Sequence, residues 1–322
     1  MSTIDANRAN LYIESSKHLK DLYSIKKRAN IIVEKFGNQE ISSITELEIE
    51  LWLNNLKHYR TGGELSKNSR KKYKTTLNKI FTLAKKDRAI EDNFIENIDV
   101  QGEGKDKNAI NPFSDKEVHL LLEKSKEKQY GELLHYYLGL ILHTGLSPSE
   151  AIALKVSDIS FDEHTNVNVL SISRSITKNI LGSTKNEYRE RKIILMKQAM
   201  PYIALLVSLA KHKQTEWLFS DKNGLRLKDI SSLRGTRECH DKNGKISHNN
   251  TRWYKLLYDL KMEYRPIKNL RHTFAISMLN AGYTIIEVAD ILGHNSIQMV
   301  IEHYAKGIRG KGMEIIENKR LY

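Results

Sequence analysis

Apolar residues recur at three- and four-residue spacing along most of the chain, and this period yields to short β-prone runs in one region, residues 156–196. That arrangement predicts a mainly α fold with a small antiparallel β-sheet. Residues 8–100 read as helices throughout. Ser16–Phe36 is apolar at Leu19, Leu22, Ile25, Ile31, Ile32 and Phe36. Thr45-x-x-Glu48 has a capping-box pattern and opens a helix through Trp52, Leu53 and Leu56. Ser66 or Ser69 caps a third, which packs Tyr73, Leu77, Ile80, Phe81 and Leu83.

The stretch 101–112 is polar and holds two glycines, so it reads as a linker between segments 1–100 and 113–322. Ser114-x-x-Glu117 then caps a helix through Val118, Leu121 and Leu122, and another runs from about Leu133 to His143. Val156–Phe161, Val167–Ser173 and Lys192–Met196 are the expected strands. Helices resume at Lys197–His212, and residues 222–250 read as a long surface excursion. Trp253–Tyr264, Ile267–Ala281 and Thr284–Leu292 are again helical, with Gly282 and Gly293 at natural helix ends.

Charge narrows the function. Lys and Arg number 52 against 39 Asp and Glu, a formal +13. Between Lys57 and Arg88 eleven basic residues face only Glu64 and Asp87, a local +9. With one helical face packed, Lys67, Arg70, Lys71, Lys74 and Lys79 should stay in solvent and track a phosphate backbone. The single cysteine, Cys239, excludes an internal disulfide, and no apolar run is long enough to span a bilayer. The start MSTIDANRANLY has no signal-peptide pattern. A cytosolic partner of polyanions, without a membrane role, is the expectation. The twelve histidines lack zinc-site pairings, and no phosphate-binding glycine loop is present.

Four stretches carry a more specific signal. They are Thr144-Gly145-Leu146-Ser147-Pro148-Ser149-Glu150 with Ala153-Leu154, Thr184-Lys185 with Arg191, Ile193 and Leu195, Leu270-Arg271-His272-Thr273, and Leu292-Gly293-His294 with Tyr304 ten residues on. In this order, behind a basic helical segment and a linker, the chain from about residue 8 to 306 resembles the tyrosine site-specific recombinases, or phage-type integrases. The resemblance implies a helical core-type DNA-binding domain at 1–100 and a mixed α+β catalytic domain at 113–322. It implies a recombinase of a phage or mobile element that cuts and rejoins DNA through a 3′-phosphotyrosyl link. It further implies double-stranded DNA at specific attachment sites, a homotetramer on paired sites, accessory DNA-bending proteins, a nucleoid-associated location and no cofactor or metal.

In that resemblance Arg271 and His294 bind the scissile phosphate, Tyr304 is the nucleophile and Lys185 protonates the leaving oxygen. Fixed cations suit this chemistry because the phosphate gains negative charge under attack, and guanidinium grips it in two places. Two positions depart from the family pattern. Ser147 stands where its first arginine should be, and Ser-Pro-Ser-Glu reads instead as a capping box with proline at the first helical position. Lys268 replaces the usual histidine three residues before Arg271. Arg189, which replaces a small polar residue of the hairpin pattern, and Arg174 are the expected compensating cations. The segment after Tyr304 is expected to dock onto a neighbouring subunit, and the short stretch before the first helix points to recognition mainly of short core sites. Loss of the first arginine keeps open a second reading, a recombinase-fold protein that only binds or regulates DNA. A third is a relaxase resembling type IB topoisomerases.

Overall fold

The computed structural model describes residues 6–304 apart from 18–21, 59–61, 103–110, 178, 184–188, 235–250, 295, 299 and 302–303. The chain divides into two compact units, Met1–Ala109 and Ile110–Tyr322. Most of the expected linker lies outside the described residues.

The first unit holds α1 (Ala6–Ser15), α2 (Leu22–Phe36), α3 (Glu46–Asn55) and α4 (Lys67–Lys86). The helix expected from Ser16 begins later, because Ser16 and Lys17 form a turn in which Ser15 Oγ and the Ser16 amide both donate to the Tyr12 carbonyl. Thr45 caps α3 through the Glu48 amide, but the Glu48 carboxylate accepts from Gln39 and leaves the box half made. Ser66 caps α4. Ile32, Phe36, Ile49, Leu53, Leu77, Ile80 and Phe81 form the core, and Trp52 meets Phe36 and Tyr73 edge-on. That apolar burial is the main force holding the four helices together.

In the second unit, α5 (Asp115–Lys124) starts at a complete capping box of Ser114 and Glu117. Glu117 also takes a two-pronged ion pair from Arg265, which holds its carboxyl down at about 2, while burial opposes the shift. Next comes α6 (Glu132–Thr144), whose Leu134, Tyr137, Leu138, Leu140 and Ile141 are all buried. A helix apolar around most of its girth belongs in the middle of a domain, and α6 is the central rod of this one. The short α7 (Pro148–Ala151) follows.

Strands β1 (Ile159–Asp162), β2 (Val167–Ile172) and β5 (Arg191–Ile194) form an antiparallel sheet in the order β1-β2-β5, with Leu170 opposite Ile159 and Ile193. Leu170, Ile172 and Ile193 turn into the α6 core. Two sequence expectations are corrected here. Val156–Asp158 is a 3-10 turn rather than strand, because the Asp158 carboxylate accepts from the Lys155 amide. A separate hairpin, β3 (Arg174–Thr177) and β4 (Ile180–Ser183), leaves the sheet, with Asn179 in the left-handed region at its tip.

The remaining helices are α8 (Met200–His212), α9 (Ile230–Arg234), α10 (Arg252–Asp259), α11 (Asn269–Asn280) and α12 (Ile285–Leu292). Helix α9 lies inside the expected excursion, of which 235–250, with Cys239, falls outside the described residues. Helix α10 stops short of Tyr264 because Lys261 takes φ 54° and the Met262 amide turns back to the Leu257 carbonyl. Thr284 and Glu287 box the start of α12, and Gly293 ends it in the left-handed conformation. Among the described residues no helix is long and apolar enough to cross a membrane.

Candidate active site

The C-terminal ends of α6 and α12 meet at the first turn of α11. Gly145 ends α6 with φ 64°, and a Cβ there would stand 2.3 Å from the Phe274 ring and 2.9 Å from Leu292. Glycine therefore serves both the backbone conformation and the close approach of three helices. Helix ends leave unsatisfied carbonyls and partial negative charge. Arg271 fills that place. Its guanidinium donates to the Gly145 carbonyl at 2.9 Å and the Leu292 carbonyl at 2.6 Å, and the residue is 8 % exposed.

Beside it Ser147 caps α7, its side chain accepting from the Glu150 amide while its own amide donates to Glu150 Oε2 at 2.8 Å. The box fixes Glu150 inward, 1 % exposed. Three guanidinium groups surround that one carboxylate. Arg271 Nη1 lies 3.5 Å from it, Arg191 Nη2 3.3 Å and Arg189 Nη1 3.9 Å. Burial alone would raise the Glu150 pKa, but Arg191, Arg271 and the Ser147 amide hold it below the ordinary carboxylate range. Burial lowers Arg271 to about 10, with Glu150 opposing and the other arginines adding to the drop, so it stays charged at neutral pH.

In the sequence Arg191 is only part of a hairpin pattern, yet in the structure it is the keystone of this cluster. From β5 it donates to the Ile291 carbonyl at 2.7 Å, the Arg189 carbonyl at 3.0 Å and Glu150. Gly293 makes room for it, since a Cβ there would sit 2.8 Å from Arg191 Nη1. His294 follows Gly293, half-buried, and lines with Arg191 and Met196 a cavity of about 560 Å³.

Tyr304 lies in the final helical residues, packed with Phe274, Met278, Leu292 and Val300. It is 1 % exposed, and burial raises its pKa to about 12 against the pull of Arg271. Its hydroxyl sits 2.9 Å from His272 Nδ1. The sequence marked His272 only by its place next to Arg271, and the hydrogen bond spans 32 residues of chain.

The other expected residues distribute unevenly. Lys268 is exposed at the start of α11. Lys185 lies outside the described residues. Arg174, the other expected compensating cation, donates to both oxygens of Asp158. On α4, Lys71 and Lys79 are exposed and Lys67 half-exposed. Arg70 is not in solvent as expected. It is 5 % exposed and ties α4 to the Gln101 carbonyl, while Lys74 donates to the carbonyls of Glu96 and Ile98. Among the described residues no group of three His, Cys, Asp or Glu side chains is arranged to hold a metal.

The model of the phage integrase family matches residues 112–308. The tyrosine recombinase XerC-like protein of Caldanaerobacter subterraneus subsp. tengcongensis is 24 % identical over 218 residues, 65 % of this chain and 53 % of that protein. The chain spans about half the length of the curated relatives it matches. The Tn1549 transposon integrase in complex with a circular intermediate DNA superposes with a TM-score of 0.72 at 19 % identity, over 98 % of this chain and 100 % of that one. A lambda integrase tetramer bound to a Holliday junction gives 0.65 at 15 % identity, over 92 % and 78 %. At such identities the superpositions speak for the fold.

Proposed function

The chain belongs to the phage integrase family, and from that premise we propose that it is a site-specific DNA recombinase of a mobile element with Tyr304 as its nucleophile. The observation that carries the reading is the Tyr304 hydroxyl, hydrogen-bonded to His272 and held in the field of Arg271. A phenol of pKa about 12 is ionised to roughly one part in 10⁵ at neutral pH. It needs a proton acceptor and a cation to react. His272 Nδ1 is at hydrogen-bond distance for the first task, and Arg271 supplies the second.

The exchange balances bond for bond. The Tyr304 oxygen bonds to phosphorus, the bond to the 5′-oxygen breaks, and the tyrosine proton passes to His272. The leaving oxygen takes a proton, the role the family resemblance gives to Lys185. The link between phosphorus and tyrosine keeps the bond energy, so a second 5′-hydroxyl can reverse the step without a nucleotide. Arg271 and His294 face the growing charge on the non-bridging oxygens, and Lys268 adds a point charge at the start of α11. Because Tyr304 is buried, docking of the duplex has to shift the segments that cover it.

Lys67, Lys71 and Lys79 on α4 contact the phosphate backbone in this reading, which positions the protein without selecting sequence. Double-stranded DNA at paired attachment sites and a tetramer on them follow, and the lambda integrase tetramer bound to a Holliday junction supports the multimeric state. So does a cytoplasmic, nucleoid-associated place. Accessory DNA-bending proteins would assist where paired sites must be brought together. The test is capture of the tagged chain from cells of its own strain under denaturing and native conditions in parallel. Denaturing capture is expected to retain DNA of one or a few defined sequences. Defined DNA in the native sample alone would replace the recombinase with a binding protein.

A further inference from the structure

One carboxylate faces three guanidinium groups at Glu150, so the cluster holds two more positive than negative charges among the described residues. The charges that act on Arg271 at neutral pH are the same few, with Glu150 on one side and Arg191 and Arg189 on the other, beside the neutral Tyr304. A near-buried excess of cations is costly unless an anion completes it. The three arginines are also not equivalent. Both Nη atoms of Arg271 are engaged by helix-end carbonyls, and its side chain is nearly covered. Arg191 has Nε and both Nη atoms engaged, at 8 % side-chain exposure. Arg189 keeps its side chain 28 % exposed and makes one contact among the described residues, the 3.9 Å approach to Glu150. Its backbone is fixed by the hydrogen bond from Arg191 to its carbonyl.

We propose that Arg189 is a catalytic residue that binds a non-bridging oxygen of the scissile phosphate, the donor that Ser147 at the start of α7 does not supply. Arg191 and Arg271 hold Glu150, and Glu150 in turn steers Arg189. The anion it takes is a phosphodiester under attack, because Arg271 of the cluster donates to the carbonyl of Leu292, whose side chain packs in one cluster with Tyr304. Two further cations of the same chain are unsuited to the role. Arg174 is spent on Asp158, and Lys268 is exposed at the outer start of α11. The inference rests on the recombinase reading for its substrate and on the charge excess for its anion.

The experiment therefore has two arms on the full chain. In the first, binding of inorganic phosphate is followed by phosphorus NMR line broadening for the unmodified chain and Arg189→Ala. In the second, single-turnover formation of the covalent adduct is timed on a duplex carrying the captured sequence, for Arg189→Ala, Arg189→Lys and the double variant Ser147→Arg/Arg189→Ala. Loss of one charge-stabilising donor lowers the rate by about 10²–10³-fold. Arg189→Ala is expected to lose phosphate broadening and to slow cleavage by that factor with little change in duplex affinity. Arg189→Lys should fall between, since it keeps the charge and loses the fork. The double variant should regain at least about tenfold of the rate, because its arginine enters the same pocket from α7, which a purely structural role of Arg189 would not allow. Cleavage and phosphate broadening like those of the unmodified chain, or no recovery in the double variant, would overturn the assignment. If the unmodified chain forms no adduct on any DNA, the recombinase reading fails, and the phosphate arm alone then decides whether Arg189 completes an anion site.

Discussion

Tyr304→Phe is expected to abolish covalent attachment to DNA while leaving duplex affinity within about twofold. The phenylalanine ring keeps its place among Phe274, Met278, Leu292 and Val300. Only the hydroxyl and its hydrogen bond to His272 are lost, which weakens the fold by about 1 kcal/mol. Tyr283 also lines the cavity with Arg191 and His294, but Tyr304 is the tyrosine whose hydroxyl meets His272 and acts on Arg271. Gel shift on the captured sequence, run beside a denaturing gel, checks both halves. An adduct that persists in the Phe variant would move the nucleophile elsewhere.

The second large effect is on stability. Glu150→Ala leaves three guanidinium groups facing one another in a nearly dry site and removes half of the capping box at Ser147. Breaking one side of such a buried pair costs about 3–5 kcal/mol. Glu150→Gln should be milder, since an amide oxygen still accepts from Ser147. Its pH dependence has a definite sign. The folded pKa lies below the ordinary value of 4.5, so the contribution is present above that value and is lost as pH falls through the folded pKa. Urea unfolding should show the gap between the unmodified chain and Glu150→Gln wide at pH 7 and narrowing in acid. A constant gap across that range would mean that the arginines do not depend on the Glu150 charge.

Local chemistry made much of this molecule legible in advance. Thr45, Ser66, Ser114 and Ser147 each cap the helix their side chain predicts. These signals work because a cap needs only its own three or four residues. The β3–β4 hairpin lies outside the expected strands because Arg174–Thr177 carries a single apolar residue and Ile180–Ser183 is half Gly and Ser, so neither shows an apolar run or alternation. Arg70 looked like a solvent cation because its tie to the Gln101 carbonyl crosses 31 residues. The same holds at the candidate site. Tyr304, Arg271 and His294 could be singled out by motif and resemblance. The burial of Glu150 under Arg189, Arg191 and Arg271 comes only from the meeting of α7, β5 and α11, and no spacing along the chain encodes it. Arg174 and Arg189 were equal candidates on sequence, and Asp158 is what separates them.

The most direct measurement identifies the residue that carries DNA. Adducts captured under denaturing conditions would be digested with nuclease and protease, and the modified peptide sequenced by mass spectrometry. The account predicts a single nucleotide-bearing peptide with the 3′-phosphate on Tyr304. A 3′-phosphate on any other side chain, or defined DNA captured with no phosphotyrosyl peptide at all, would contradict it.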